Sequence, residues 1–430
     1  MKAVKVTYTL AFLFVVLLFS CRDNTVKPPE LYLDYPQEGS TFNAGDTLVF
    51  KVRVVSDDEE IKNLLVYLSD GNEQIFSPVQ SYQVNLHATT IVSQLIIPSN
   101  LGSGTYFLTF KAETKEDTYN YFFRISIHEL PLKTDTFAGA YGNTLYIFND
   151  SLQFSAQMNF ADSILDIKPL SGGRAVYVLT AGGFLYKYNY AEDNLLIIDQ
   201  NLNNSMNDFL GKMFFRVRNS IPELFYPRAT GFVKMVNTTQ IQSQEFLSSY
   251  QRPMAIYAAG NYVYVATRSV VGSQKAMLYM FYNSNLSIYK TFALDYLFVP
   301  NSIVRESSDL IRVYGNKADT AMFFDVYTAE NTSYQYFLEN TGKLFFAYTL
   351  SAEADLIATE SGLLGLTDNG YHTIDNSIYK SFADDSLLSG KYYLVDGSSN
   401  VTTFIPQQEI IVSQKDVGVQ IDKLCLIYNK

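Results

Sequence analysis

Any chemistry in this chain has to come from a sparse set of polar side chains placed between apolar runs. Asp162, Arg252, Asn301 and Asp385 each fall in a linking segment, while Tyr226, Arg228, Arg268, Lys317 and Ser398 fall in or beside tight turns. Together they offer carboxylate acceptors, guanidinium and ammonium donors, an amide and an aromatic face. That mixture orients a polar ligand in a concave site. The candidate ligand-binding residues are therefore Asp162, Tyr226, Arg228, Arg252, Arg268, Asn301, Lys317 and Asp385.

Catalysis is harder to assemble from what is present. Histidine occurs only at His87, His128 and His372, too few and too scattered for a His-rich metal centre or a Ser-His-Asp relay. There is no G-x-S-x-G elbow, no H-E-x-x-H pair and no G-x-x-x-x-G-K-[ST] phosphate cradle. No catalytic residue, metal or cofactor is expected. Asp384-Asp385 is a carboxylate pair that glycoside cleavage could use, so a polysaccharide hydrolase or lyase is the alternative function. The run Asp57-Asp58-Glu59-Glu60 lacks the spaced oxygen ligands of a calcium loop.

The elements that must hold these residues are strands. AVYVLTAGGFLYKYNY (Ala175–Tyr190) reads as two aromatic and β-branched strands around a Gly-Gly turn, and looser copies follow at Asn261–Asn283, Asp309–Thr328, Ala354–Asn369 and Lys391–Ile405. Successive copies begin about 40–45 residues apart, the period of a four-stranded propeller blade. Residues 136–430 then hold about seven blades, and blades are expected to begin near Ala161, Asn201, Gln251, Asp295, Asn340 and Asp384. In this register Phe137–Phe160 supplies two strands and Val417–Lys430 two more, so that the two ends share one sheet and no edge is left exposed. Loops between blades and loops between the second and third strands of a blade converge on one face, which is where the candidate residues are predicted to meet. Strand positions of Tyr177, Tyr186, Tyr262, Tyr264, Tyr279 and Phe324 predict packing between blades, and Cys425 is expected as a small buried hydrophobe.

Composition sets the outer bounds. Tyr (33) and Phe (31) bring the aromatic content to 15% without a single Trp, a bias that suits pleated surfaces. At 47% hydrophobic and 17% charged the chain can bury large cores. A formal charge of −11 without a basic stripe excludes nucleic acid as an expected partner. Cys21 and Cys425 are the only cysteines, so no disulfide framework exists.

Residues 31–130 form a separate unit of short alternating strands, Thr47–Val55, Lys62–Ser69, Thr89–Ile97, Gly104–Ala112 and Tyr119–Ile127, at sandwich spacing. The segments PQEGSTFNAGDTLVFKVRV (Pro36–Val54) and GTYFLTFKAET (Gly104–Thr114) resemble bacterial immunoglobulin-like modules, in which Gly45-Asp46 opens a strand and Tyr106 is an anchoring tyrosine. The expected fold class is therefore all-β, an immunoglobulin-like β-sandwich (31–130) followed by a roughly seven-bladed β-propeller (136–430), with a hinge at Pro131–Asp135.

The N-terminal stretch addresses the chain to a membrane. Lys2 and Lys5 precede the apolar run Leu10–Phe19, a length that fits a secretory signal rather than a membrane span. Leu18-Phe19-Ser20-Cys21 resembles a bacterial lipobox, which implies a signal peptide at 1–20, lipidation of Cys21 and a tether at 21–30. Arg22-Asp23-Asn24 is similar to the export signal of Bacteroidetes surface lipoproteins. QRPMAIYAAGNYVYVATR (Gln251–Arg268) resembles the repeat of YncE-like propellers, and the layout resembles Bacteroidetes lipoproteins that accompany TonB-dependent transporters. The resemblance implies an outer-membrane, surface-exposed, non-enzymatic protein. It would capture a glycan or cofactor-type nutrient for such a transporter, with a protein–protein scaffold as a further alternative.

Overall fold

The computed structural model describes residues 27–71, 73–99, 101–171, 173–200, 211–218, 221–229, 231–237, 240–245, 250–351, 354–385 and 387–429. The signal segment, Cys21 and the export-type residues lie outside them. Among the described residues no helix is long and apolar enough to cross a membrane. The chain divides into two compact units, Met1–Pro131 and Leu132–Lys430.

The smaller unit is a two-sheet sandwich. A three-stranded sheet, Glu30–Tyr35, Thr47–Val55 and Ala88–Ile96, faces a five-stranded one built from Thr41–Asn43, Thr118–His128, Gly104–Glu113, Ile61–Ser69 and Gln80–Leu86. Alternation explains the layering: Leu48, Phe50, Val52 and Val54 point inward from one sheet and meet Leu64, Val66, Leu108 and Phe110 from the other. Glu30–Tyr35, Thr41–Asn43 and Gln80–Leu86 are strands beyond those expected, and their mostly exposed side chains explain why no hydrophobic pattern marks them.

The larger unit is a ring of seven four-stranded antiparallel sheets, a seven-bladed β-propeller. Six blades are continuous in sequence, and their inner strands are Ile164–Leu170, Phe214–Arg218, Gln251–Ala259, Phe298–Arg305, Leu344–Ser351 and Ser381–Asp385, for the second to seventh blades in order. The first blade takes Thr134–Tyr141, Thr144–Asn149 and Phe154–Asn159 from the start of the unit. Its inner strand is Lys423–Tyr428 from the chain's end, paired antiparallel with Thr134–Tyr141. Closure is thus three strands plus one rather than two plus two. Val417 and Ile421 give their backbone N–H groups to Ser399 and Ser398 and bury their side chains against the seventh blade, so this segment packs as a covering loop instead of a strand.

What holds the ring is apolar packing at its seven seams. Each seam has its own core: Ala138 and Val178 share one between the first and second blades, Tyr177 and Met235 one between the second and third, and Phe137 and Val395 the one that closes the circle. Tyr264 and Phe324 pack in the seam between the fourth and fifth blades and Tyr279 in that between the third and fourth, as their strand positions predicted. Burying one such side chain contributes about 1.5–3 kcal/mol. Cys425 belongs to the first of these cores, and burial pushes its thiol up to about 12, far from reactivity at neutral pH.

Candidate functional site

The seven inner strands surround a channel along the ring axis with a volume of about 1010 Å³, the upper limit of ordinary small-molecule pockets. Inner strands all run the same way, so the channel has an upper end, where they begin, and a lower end, where they finish.

Lysines crowd the upper end. Lys212 stands two residues before an inner strand, Lys380 directly before one and Lys423 starts one, while Lys168 points in from the middle of the strand Ile164–Leu170. Two are matched by carboxylates: Lys168 lies 3.3 Å from Asp166, and Lys423 2.8 Å from Asp422. Asp166 is also a structural acceptor, taking the backbone N–H of Met213 at 2.7 Å and so joining the second blade to the third. Lys212 reaches across the channel. Its Nζ donates to Asn301 Oδ1 at 2.9 Å and to the Phe345 carbonyl at 3.2 Å. Desolvation pulls its pKa down to about 8, Lys168 and Lys423 push the same way, and Asp166 opposes them. Lys380 stacks its ammonium 3.4 Å from the centre of the Phe345 ring and is likewise lowered by burial, against Glu360 and Asp422.

Aromatic rings share the lining with the lysines. Tyr348 donates to Asp384 at 2.7 Å and packs against Phe382 with ring centroids 4.8 Å apart. Tyr257 lines the same stretch from the fourth blade beside Phe214 at 5.2 Å. Burial and the Asp384 charge raise the Tyr348 hydroxyl above its ordinary value, so it is a hydrogen-bond donor and not a base. Among the described residues no group of three or more His, Cys, Asp and Glu is placed to hold a metal ion.

Of the eight candidate ligand-binding residues, Asn301 is the one that lines the channel, and Asp384 of the carboxylate pair lines it too. Asp162 sits at the upper end against the Gly182 turn, and Arg252 and Arg268 are register partners where the fourth blade begins. Tyr226 and Arg228 both donate to Asp199 Oδ2 on the preceding blade, each at 2.7 Å. Lys317 pairs with Asp295 at 2.5 Å in the same way. These are clamps across blade seams. Asp385 lies at the lower end, because the seventh inner strand starts at Ser381 and finishes at Asp385 instead of beginning there. It is buried, accepting from Tyr428 at 2.8 Å and from Ser389. His372 contacts Glu409 at 2.7 Å on an exposed edge.

Sequence reasoning missed the lysines, although a signal existed. Lys212, Lys380 and Lys423 each stand at the head of an apolar run, in KMFFRV, KSFAD and KLCLIY. All three line the channel.

No family model and no curated protein matches the sequence. Among solved structures, apo AztD from Citrobacter koseri is similar at 9% identity and a TM-score of 0.41, over 69% of this chain and 97% of that one. The Dos1 propeller is similar at 10% identity and a TM-score of 0.46, over 67% and 82%. The Pan2 WD40 domain of Neurospora crassa is similar at 10% identity and 0.42, over 62% and 79%. The propeller itself is established by the seven sheets and seven seams of this chain.

Proposed function

We propose that this protein is a lipid-anchored binding protein of the bacterial cell envelope, non-enzymatic, which captures a small polar ligand in the channel of its propeller. The observation that carries this is the channel, a closed ring of strands around about 1010 Å³ whose wall sets ammonium donors beside aromatic faces. Such a mixed wall can orient a polar molecule. Anchoring would run through Cys21, and the sandwich would act as an immunoglobulin-like spacer. Tyr106 donates to the Gly102 carbonyl at 3.1 Å, a contact of the kind that pins a sandwich corner. Outer-membrane placement and delivery of a glycan or cofactor-type nutrient to a TonB-dependent transporter belong to the same proposal.

The test uses protein purified from its native envelope. Native mass spectrometry is expected to find a small molecule that is lost in a Ser302→Trp variant, in which an indole obstructs the channel. A folded wild-type protein that carries nothing, and takes up nothing from a cell extract, would overturn capture. Separately, Cys21→Ser is expected to move the protein out of the membrane fraction, and its retention there would remove the lipid anchor.

A further inference from the structure

We propose that the upper end of the channel is an anion site, in which Lys212 and Lys380 receive a carboxylate or phosphate group of the captured ligand. This rests on the capture reading and names the chemistry that the channel selects.

Charge bookkeeping at this end supports the assignment. Lys168 and Lys423 are neutralised by Asp166 and Asp422. Among the described residues, neither Lys212 nor Lys380 makes an ion pair with a carboxylate: the first has an amide oxygen and a backbone carbonyl as acceptors, the second a ring face. Both ammonium groups converge on one residue, Phe345, from the third and seventh blades. A chain carrying formal charge −11 thus holds two cations on the wall of a cavity without a carboxylate in direct contact, and Asp166 beside Lys212 and Glu360 and Asp422 beside Lys380 act on them only from beyond ion-pair distance. Neutral acceptors compensate an ammonium group less than an anion does. A bound carboxylate or phosphate oxygen would complete them, and the low-dielectric surroundings would strengthen the contact. A purely structural strut across the channel would not need Lys380 beside it.

The experiment is calorimetric titration of the full-length protein without its lipid, using citrate and pyrophosphate as the two probes and an uncharged maltooligosaccharide mixture as the third. One or both anions are expected to bind, with affinity falling as salt rises. Lys212→Met and Lys380→Met are each expected to weaken binding about tenfold to a hundredfold, the usual effect of a lost charge-assisted hydrogen bond. Citrate alone would mark a carboxylate ligand and pyrophosphate alone a phosphate one. If neither anion binds, or if both variants bind as well as the parent, the anion site is wrong. Binding of the neutral sugars, lost in Ser302→Trp, with no anion binding would sink this inference and leave the capture proposal standing. Circular dichroism and unfolding of each variant separate lost binding from lost fold.

Discussion

Lys212 and Asn301 belong to blades two apart in the ring, yet the Lys212 ammonium sits 2.9 Å from the Asn301 amide oxygen. The contact spans the channel and places an ammonium group inside a cavity that could have been lined entirely by apolar side chains. Its desolvation has a measurable signature.

Lys212→Met should stabilise the larger unit in a pH-dependent way. The folded-state pKa of Lys212 lies at about 8, below its ordinary 10.5, so the unfolded chain binds more protons between these values and wild-type stability rises across that window. The advantage of the Met variant is therefore largest below pH 8, on the order of 1–3 kcal/mol, and shrinks as pH approaches 10.5. Denaturant unfolding of both proteins at pH 7 and pH 10 checks this, and a constant difference would show that Lys212 is not desolvated.

The Arg312 cluster makes an opposite prediction for acids. Arg312 pairs with Asp325 at 2.7 Å, with Asp355 at 3.1 Å and with Glu306 at 3.5 Å. Arg312→Met leaves the buried carboxylates without a cation and should cost about 3–5 kcal/mol. Glu306 is raised from its ordinary 4.5, first by burial and then by its hydrogen bond to Asp355. Its contribution is present below pH 4.5 and is lost as pH climbs through the raised value. Glu306→Gln should therefore match wild type at pH 4 and exceed it at pH 9, as read by thermal melts.

Ring closure depends on a single strand. Deleting Lys423–Lys430 removes the inner strand of the first blade together with Leu424, Leu426 and Ile427, all buried, and should abolish the cooperative transition of the larger unit. The milder Tyr428→Phe removes one donor to buried Asp385 and should cost about 1–3 kcal/mol. An unchanged melting profile after the deletion would contradict the closure seen here.

Gly315 marks where two backbones approach. It is paired with Pro300 in the fifth blade, and a methyl group there would run into the Val299 carbonyl oxygen and lie 2.7 Å from the Phe298 ring. Gly315→Ala should destabilise by about 1–3 kcal/mol through strain. A variant with wild-type stability would mean that the neighbouring strand yields freely.

By itself, the sequence determined the kind of object this is. Alternating apolar residues, turn glycines and a repeat near forty residues suffice for strands, blades and two units, because period-two burial is a local property of the chain. Tertiary structure alone decided which polar groups meet. Tyr226, Arg228 and Lys317 read as a ligand-facing rim but clamp seams to Asp199 and Asp295, since whether an acid on the preceding blade lies within reach depends on how two sheets stagger. Asp385 moved to the other end of the ring through a blade start set three residues too late. Lys212, Asn301, Phe345 and Lys380 come from four blades, and only closing the ring around a common axis links them in one chain of contacts through Lys212 and Phe345.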